Sequence, residues 1–291
     1  DPSWRDFLPK EFLEYRRDFE LAQKQSYAGA FPISFEIEAS YYCNLQCPFC
    51  ARSTNPDERE LGHMPSELWS KIVKESKKKG LRSILMDHEA ESLMNPKIFD
   101  MIKEAKDAGI IDIWLHTNAN LLTPEISERL IDLGLTKINF SIDAFSEESY
   151  DLLRIGGNYQ KVLKNIQDFL ELKIKKKAFY LRARVSFVVQ KENAHERKDF
   201  QNFWEKQQGI NLVAFQNLID FEPFEKPDHD DELSESELEE KYSSEPSFHC
   251  SQPWENNIID IDGNVIPCGQ PVREHTEDFI LGNLNKGDTI E

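Results

Sequence analysis

From Pro32 to about residue 219 the chain alternates short runs rich in β-branched and aromatic residues with longer runs of 3.6-residue periodicity. Strands are expected at 33–39, 82–87, 111–117, 136–143, 179–190 and 211–219, and helices at 65–79, 96–108, 123–133, 146–154 followed by 158–173, and 195–207. The boundaries carry matching punctuation. Pro65 and the Thr123-Pro124 pair open two helices, and Gly80, Gly109 and Gly134 close three. Repeated strand–helix units require a parallel sheet with right-handed crossovers, hence an α/β fold. The pattern alone does not separate an open barrel from an open doubly wound sheet.

Four segments follow from this rhythm. Residues 1–31 form a helical extension with Phe7, Leu8, Phe12, Leu13 and Phe19 on one side, and 32–220 form the α/β core. Residues 221–247, rich in Ser and Glu, break the pattern as an acidic linker, and 248–291 form a smaller module with a hairpin at Asp262-Gly263.

The second constraint is a triplet of cysteines, Cys43, Cys47 and Cys50, spaced C-x3-C-x2-C directly after the first expected strand. A structural zinc site needs a fourth ligand, and His63 lies in a polar loop with no second C-x2-C nearby. A disulfide framework belongs to oxidising compartments and small chains. A [4Fe–4S] cube takes four thiolates, so three from one loop leave one iron open to a small molecule.

With Phe49 before the last cysteine, this loop resembles that of the radical S-adenosylmethionine (radical SAM) superfamily. The resemblance implies a partial (β/α)6 barrel. It also implies that the methionine end of SAM caps the open iron and that the reduced cluster cleaves the sulfonium to a 5′-deoxyadenosyl radical. Within it, Leu93-Met94-Asn95-Pro96 aligns with the family's Leu-Leu-Asn-Pro. That alignment puts Glu91 at the glutamate of Gly-Gly-Glu-Pro, with Glu89 as the reserve choice and Glu89-Ala90 where glycines are usual. Thr117 and Asn118 fall at the Thr-Asn-Gly segment, and Ser141 and Asp143 at the Ser-x-Asp end of strand four. Arg184, sharing a strand face with Arg182, is a candidate carboxylate clamp for cofactor or substrate. Turn capping and a solvent-facing arginine pair are the plain readings of the Asn and Arg positions.

Cys250 and Cys268 stand in a C-x12-G-x4-C arrangement that resembles SPASM and twitch modules, which hold an auxiliary iron–sulfur cluster. Those modules supply further cysteines, and this chain ends at Glu291 without them; His249 and His275 are substitute ligands, and an early end is the favoured explanation.

Net charge of −18 and a pI near 4.9 argue against a nucleic-acid substrate. The basic run at Lys173–Lys177 reads as a solvated helix end. No apolar run reaches membrane length and no signal-peptide pattern opens the chain. Clustered cysteines suit a reducing cytoplasm. About thirty residues precede the first strand, too few for a peptide-recognition domain. The expected activity is therefore hydrogen abstraction from a small polar substrate, such as a sugar, nucleotide sugar or aminocyclitol, with flavodoxin or ferredoxin as reductant. Peptide modification is the alternative, and a non-catalytic iron–sulfur or zinc protein is the alternative of another class.

Overall fold

The computed structural model describes residues 4–24, 31–54, 59–218, 251–268 and 279–290. Nine strands form one sheet: β1 Ser34–Ile37, β2 Ser83–Met86, β3 Asp112–Thr117, β4 Lys137–Ser141, β5 Arg182–Val189, β6 Ile210–Asn217, β7 Asn256–Ile259, β8 Asn264–Ile266 and β9 Gly282–Asn283. Their order, β6-β5-β4-β3-β2-β1-β7-β8-β9, does not close on itself. Strands β1 to β6 pair in parallel, each with its sequence neighbour, as repeated βα crossovers demand. This is an α/β fold, a partial (β/α)6 barrel with a short addition at the β1 edge.

Helices α1 Lys10–Gln23, α2 Ala51–Thr54, α3 Ser66–Lys79, α4 Ile98–Asp107, α5 Pro124–Asp132, α6 Glu147–Leu153, α7 Tyr159–Lys175, α8 Arg197–Trp204 and α9 Gln252–Glu255 are the α-helices among the described residues. Their starts are chemically marked. The side chains of Thr123, Ser146 and Asn158 accept from the amides of Ile126, Ser149 and Lys161 respectively, capping α5, α6 and α7.

Each strand presents alternate residues to two environments. Outward residues such as Ile37, Ile84, Ile113, Ile138 and Val185 are fully buried in the main core. The inner face, the lumen, carries Glu36, Trp114, His116, Lys137, Asn139, Ser141, Arg182 and Arg184 by the period of two. Helix α1 covers the floor of this lumen. Phe12, Tyr15, Phe19, Ala22 and Ile33 make a separate buried cluster, and Phe19 packs 6.3 Å from the Trp114 ring. Asp18 accepts from Arg82 at 2.8 Å, just before β2.

The C-terminal residues do more than the expected hairpin. The β7–β8 hairpin forms around Asp262-Gly263, but β7 also runs parallel to β1, with Phe35 opposite Asn257. The described part of 248–291 thus continues the barrel's sheet. Gly263, at φ 83°, supplies a left-handed turn, and an added Cβ would press within 3.2 Å of the Asn285 amide nitrogen. Cys250 and the acidic segment 221–247 lie outside the described residues, as do His249 and His275. Among the described residues, no helix is long and apolar enough to cross a membrane.

Candidate active site

Parallel strands point their carboxyl ends, and the loops that follow them, to one side of the fold. There the structure holds a cavity of about 1070 Å³. Cys43, Cys47 and Cys50 all line it, on the loop between β1 and α2. That loop is tied down from three directions. The Glu91 amide donates to Tyr42 O at 3.1 Å, Asn118 Nδ2 donates to Asn44 Oδ1 at 2.9 Å, and the Gln46 amide donates to Ile155 O at 2.9 Å.

The thiols are not arranged for a single ion. Thiolates around one tetrahedral zinc stand about 3.8 Å apart, given bonds of about 2.3 Å. The three sulfurs here do not all lie within 4.8 Å of one another. Wider spacing suits ligands on separate irons of a cube. Burial raises the Cys43 thiol to about 11 and also pushes Cys47 up, so metal must displace those protons on binding.

Glu91 is buried and accepts the amide of Asn118 at 2.7 Å and that of Leu93 at 3.2 Å. Burial raises its carboxyl to about 7 despite these donors. Thr117, Asn118, Ser141 and Phe49 line the cavity with it. Thr117 Oγ1 accepts the Ala119 amide at 3.0 Å, and Asn118 Oδ1 accepts the Asn120 amide at 3.0 Å, so both also cap their own turn.

Glu89 sits elsewhere in the same mouth, paired with Arg59 at 3.0 Å. Arg59 also reaches Glu38 at 2.9 Å, and His88 reaches Glu36 at 3.1 Å. Burial opposes charge on His88, but Glu36, Glu38 and Glu89 together raise it to about 9. Glu38, His88 and Glu89 bring ligand atoms within 4.8 Å of one another, yet these two cations already compensate the acids. His88 carries φ 142°, a glycine-favouring conformation beside the position where the family pattern has glycines.

Two of the sequence-derived candidates stand back from the cavity. Asp143 is fully buried and spends its carboxylate on Arg154 and on the Val188 amide, the latter at 2.7 Å. Its φ of 58° turns it out of the alternation that carries Ser141 inward. Arg184 lies lower on the lumen, opposite Asn139 on β4. Cys268 lines the main cavity.

Sequence reasoning reads a lone His116 as a packed core residue, and it singles out neither Arg154 nor Asp87. Arg154 places Nη1 3.7 Å from Cys47 Sγ while pairing with Asp143. His116 Nδ1 lies 2.5 Å from Asp87 Oδ2, and both residues line the cavity. The sequence places His116 on the inner face by periodicity, but nothing in it announces the partner on β2's following loop. Arg154 gives no signal short of the folded α6 end.

Residues 37–203, more than half of the 291, match the family profile described as the Radical SAM superfamily. A probable GTP 3′,8-cyclase of Methanococcus maripaludis is 33% identical over 139 residues, 48% of this chain and 46% of that protein. The chain's match therefore spans about half the length of that curated relative. A tungsten-containing aldehyde ferredoxin oxidoreductase cofactor-modifying protein of Pyrococcus furiosus is 25% identical over 276 residues, 87% of this chain and 75% of that one. Among solved structures, Streptococcus suis SuiB bound to its precursor peptide SuiA superimposes with a TM-score of 0.65 at 18% identity, covering 97% of this chain and 69% of that one, a likeness of fold. By the extent of the profile match and the cysteine loop at the mouth of its barrel, this chain belongs to the radical SAM superfamily.

Proposed function

We propose that Cys43, Cys47 and Cys50 hold a [4Fe–4S] cluster at which SAM is reductively cleaved, and that the enzyme abstracts a hydrogen atom from a small polar substrate in the lumen, for a redox or epimerisation reaction. When bound, cluster and cofactor supply the one-electron chemistry that opens an unactivated C–H bond. The chain's own residues supply placement. The loop anchors at Tyr42, Asn44 and Gln46 fix the three thiols, while Glu91, Thr117, Asn118 and Ser141 offer acceptors and donors for the cofactor's amino-acid and ribose ends. Phe49 walls the same space, and Arg184 is assigned to the substrate rather than the cofactor because it lies below the mouth.

The observation that carries this reading is the convergence of three thiols and the polar ends of β3 and β4 on one cavity. Relatives named for a nucleotide cyclase and for cofactor modification support a small-molecule substrate over a peptide. Cys250 and Cys268 are proposed ligands of an auxiliary cluster, and a flavodoxin- or ferredoxin-type protein is the proposed reductant.

Anaerobic reconstitution followed by chemical reduction should release 5′-deoxyadenosine from SAM. Cys47→Ala should abolish that release and lower bound iron; undiminished cleavage by this variant rejects the assignment. Changing Cys250 and Cys268 together to Ala should lower iron per chain further, and an unchanged iron content rejects the auxiliary site.

A further inference from the structure

The chain carries a net charge of −18, yet the lower lumen is positive. Trp114 on β3, Lys137 on β4 and Arg182 on β5 are register partners across one row of the inner face, and Arg184 stands one inward position higher. Arg16 reaches the same place from α1, its guanidinium 5.9 Å from the Trp114 ring centroid. The Lys137 ammonium lies 3.6 Å from that centroid. One carboxylate, Asp112, approaches the group, 3.9 Å from Arg182.

Arg16, Lys137 and Arg184 form no ion pair among the described residues, and Asp112 is the one acid whose charge acts on Lys137. Arg16 Nη1 and Arg184 Nε are buried donors without a hydrogen bond, and so is Trp114 Nε1. Higher up, Asn139 Oδ1 and His116 Nε2 are buried and equally unbonded. Half-buried like charges left facing one another are costly, and unsatisfied buried polar atoms are few in native proteins. Burial, aggravated by Arg182, Arg184 and Arg16 and only partly offset by Asp112, lowers Lys137 to about 7, the response of a buried ammonium among like charges.

We infer that the floor of the lumen, formed by Arg16, Lys137 and Arg184 around Trp114, binds a phosphoryl group of the substrate. The inference rests on the lumen being the substrate site of the proposed reaction. Charge selects phosphate over carboxylate: Arg16, Arg184 and Lys137, whose proton a bound anion holds in place, match a phosphate monoester or diphosphate, whereas one carboxylate leaves two of these donors unpaired. Four strand positions separate Lys137 from Ser141 at the mouth, about 13 Å at a strand's rise. The cavity reaches inward as far as Leu85, the register partner of Trp114, and His116, and a phosphorylated sugar or a nucleotide is long enough to extend from it toward the floor, its anion below and its reacting carbon beside the cysteine loop. An aminocyclitol, itself a cation, is disfavoured.

The test is calorimetric titration of the reconstituted holoenzyme with inorganic pyrophosphate, and in parallel with malonate. Pyrophosphate should bind one per chain. Arg184→Gln and Lys137→Gln should each weaken it at least tenfold, and Arg184→Lys should recover part of the loss. Lys164→Gln, which removes an exposed lysine paired with Asp168, should leave binding unchanged. Absence of pyrophosphate binding overturns the inference, as does binding that these lumen variants do not weaken. Malonate binding as tightly as pyrophosphate overturns the choice of phosphate. Cleavage of SAM by the wild-type enzyme is scored separately, so an inert cluster site and an absent anion site give different results.

Discussion

Arg154 is the residue on which the cysteine loop's electrostatics turn. Its guanidinium bridges Asp143 and Cys47 and lies 5.5 Å from the Phe49 ring centroid. Burial disfavours its charge, but the Asp143 carboxylate beside it more than compensates and keeps it cationic. A fixed positive charge and a donor beside a ligand sulfur raise a cluster's reduction potential. Arg154→Gln should therefore shift the midpoint potential to more negative values, measured by potentiometry, and leave Asp143 as an uncompensated buried acid. Losing one partner of a buried ion pair costs roughly 3–5 kcal/mol, so lower thermal stability should accompany the shift. Glu91 makes the second residue-level case. Its folded carboxyl titrates near 7, above the ordinary 4.5. The unfolded chain thus loses its proton first, and stability drains away as pH rises from about 4.5 to 7, at about 1.4 kcal/mol per unit. Glu91→Gln should flatten that part of the profile of melting temperature against pH, and an equally steep decline in the variant refutes the shift.

At the scale of elements, the α6–α7 connection buttresses the cysteine loop. Ile155 O receives the Gln46 amide, and Asn120 Nδ2 meets Tyr150 Oη at 3.1 Å. Gly157 lets the chain pass Tyr150, since an added Cβ would fall 2.5 Å from the hydroxyl. Gly157→Ala should cost about 1–3 kcal/mol by overpacking, with faster loss of iron on dilution into chelator; retention at the wild-type rate counts against the buttress. The split of this region at Gly156-Gly157 was readable in the chain, because helical periodicity stops and restarts there. The six strands were readable for the same kind of reason. Pairing between distant segments was not: β7 lies beside β1 though more than 200 residues separate them, and Asn256-Asn257 carries no mark of that partner. The site followed the same division. Residues inside a local pattern, such as Cys43, Glu91 and Ser141, line the cavity. Arg154 and the His116–Asp87 pair depend on contacts between elements, and Asp143 departs from the alternation of β4 because its backbone turns left-handed just past that strand's end.

At the scale of the molecule, Arg59 joins parts that the chain order keeps apart. It pairs with Glu38 beyond β1, with Glu89 beyond β2, and at 3.7 Å with Asp260 at the end of β7, and its guanidinium lies 4.1 Å from the Tyr41 ring centroid. The Glu38 carboxylate also accepts the Ile261 amide at 3.1 Å, so one buried acid binds the cysteine loop's flank to the C-terminal strands. Burial already raises the Glu38 carboxyl, with Arg59 among the charges that hold it down. Removing the guanidinium in Arg59→Met leaves Glu38 ionised without that partner at neutral pH and lifts its pKa further. A carboxyl raised in the folded state weakens folding once pH exceeds the unfolded value, and the penalty fades as acid protonates it. The variant should therefore lose most stability near pH 8 and recover toward the wild type near pH 5. Hydrogen exchange should quicken at β7 and β8 before it does at β4 and β5, because only the former depend on this tie. Uniform acceleration across the sheet, or a deficit independent of pH, contradicts the view that one ion network couples the cluster loop to the added strands.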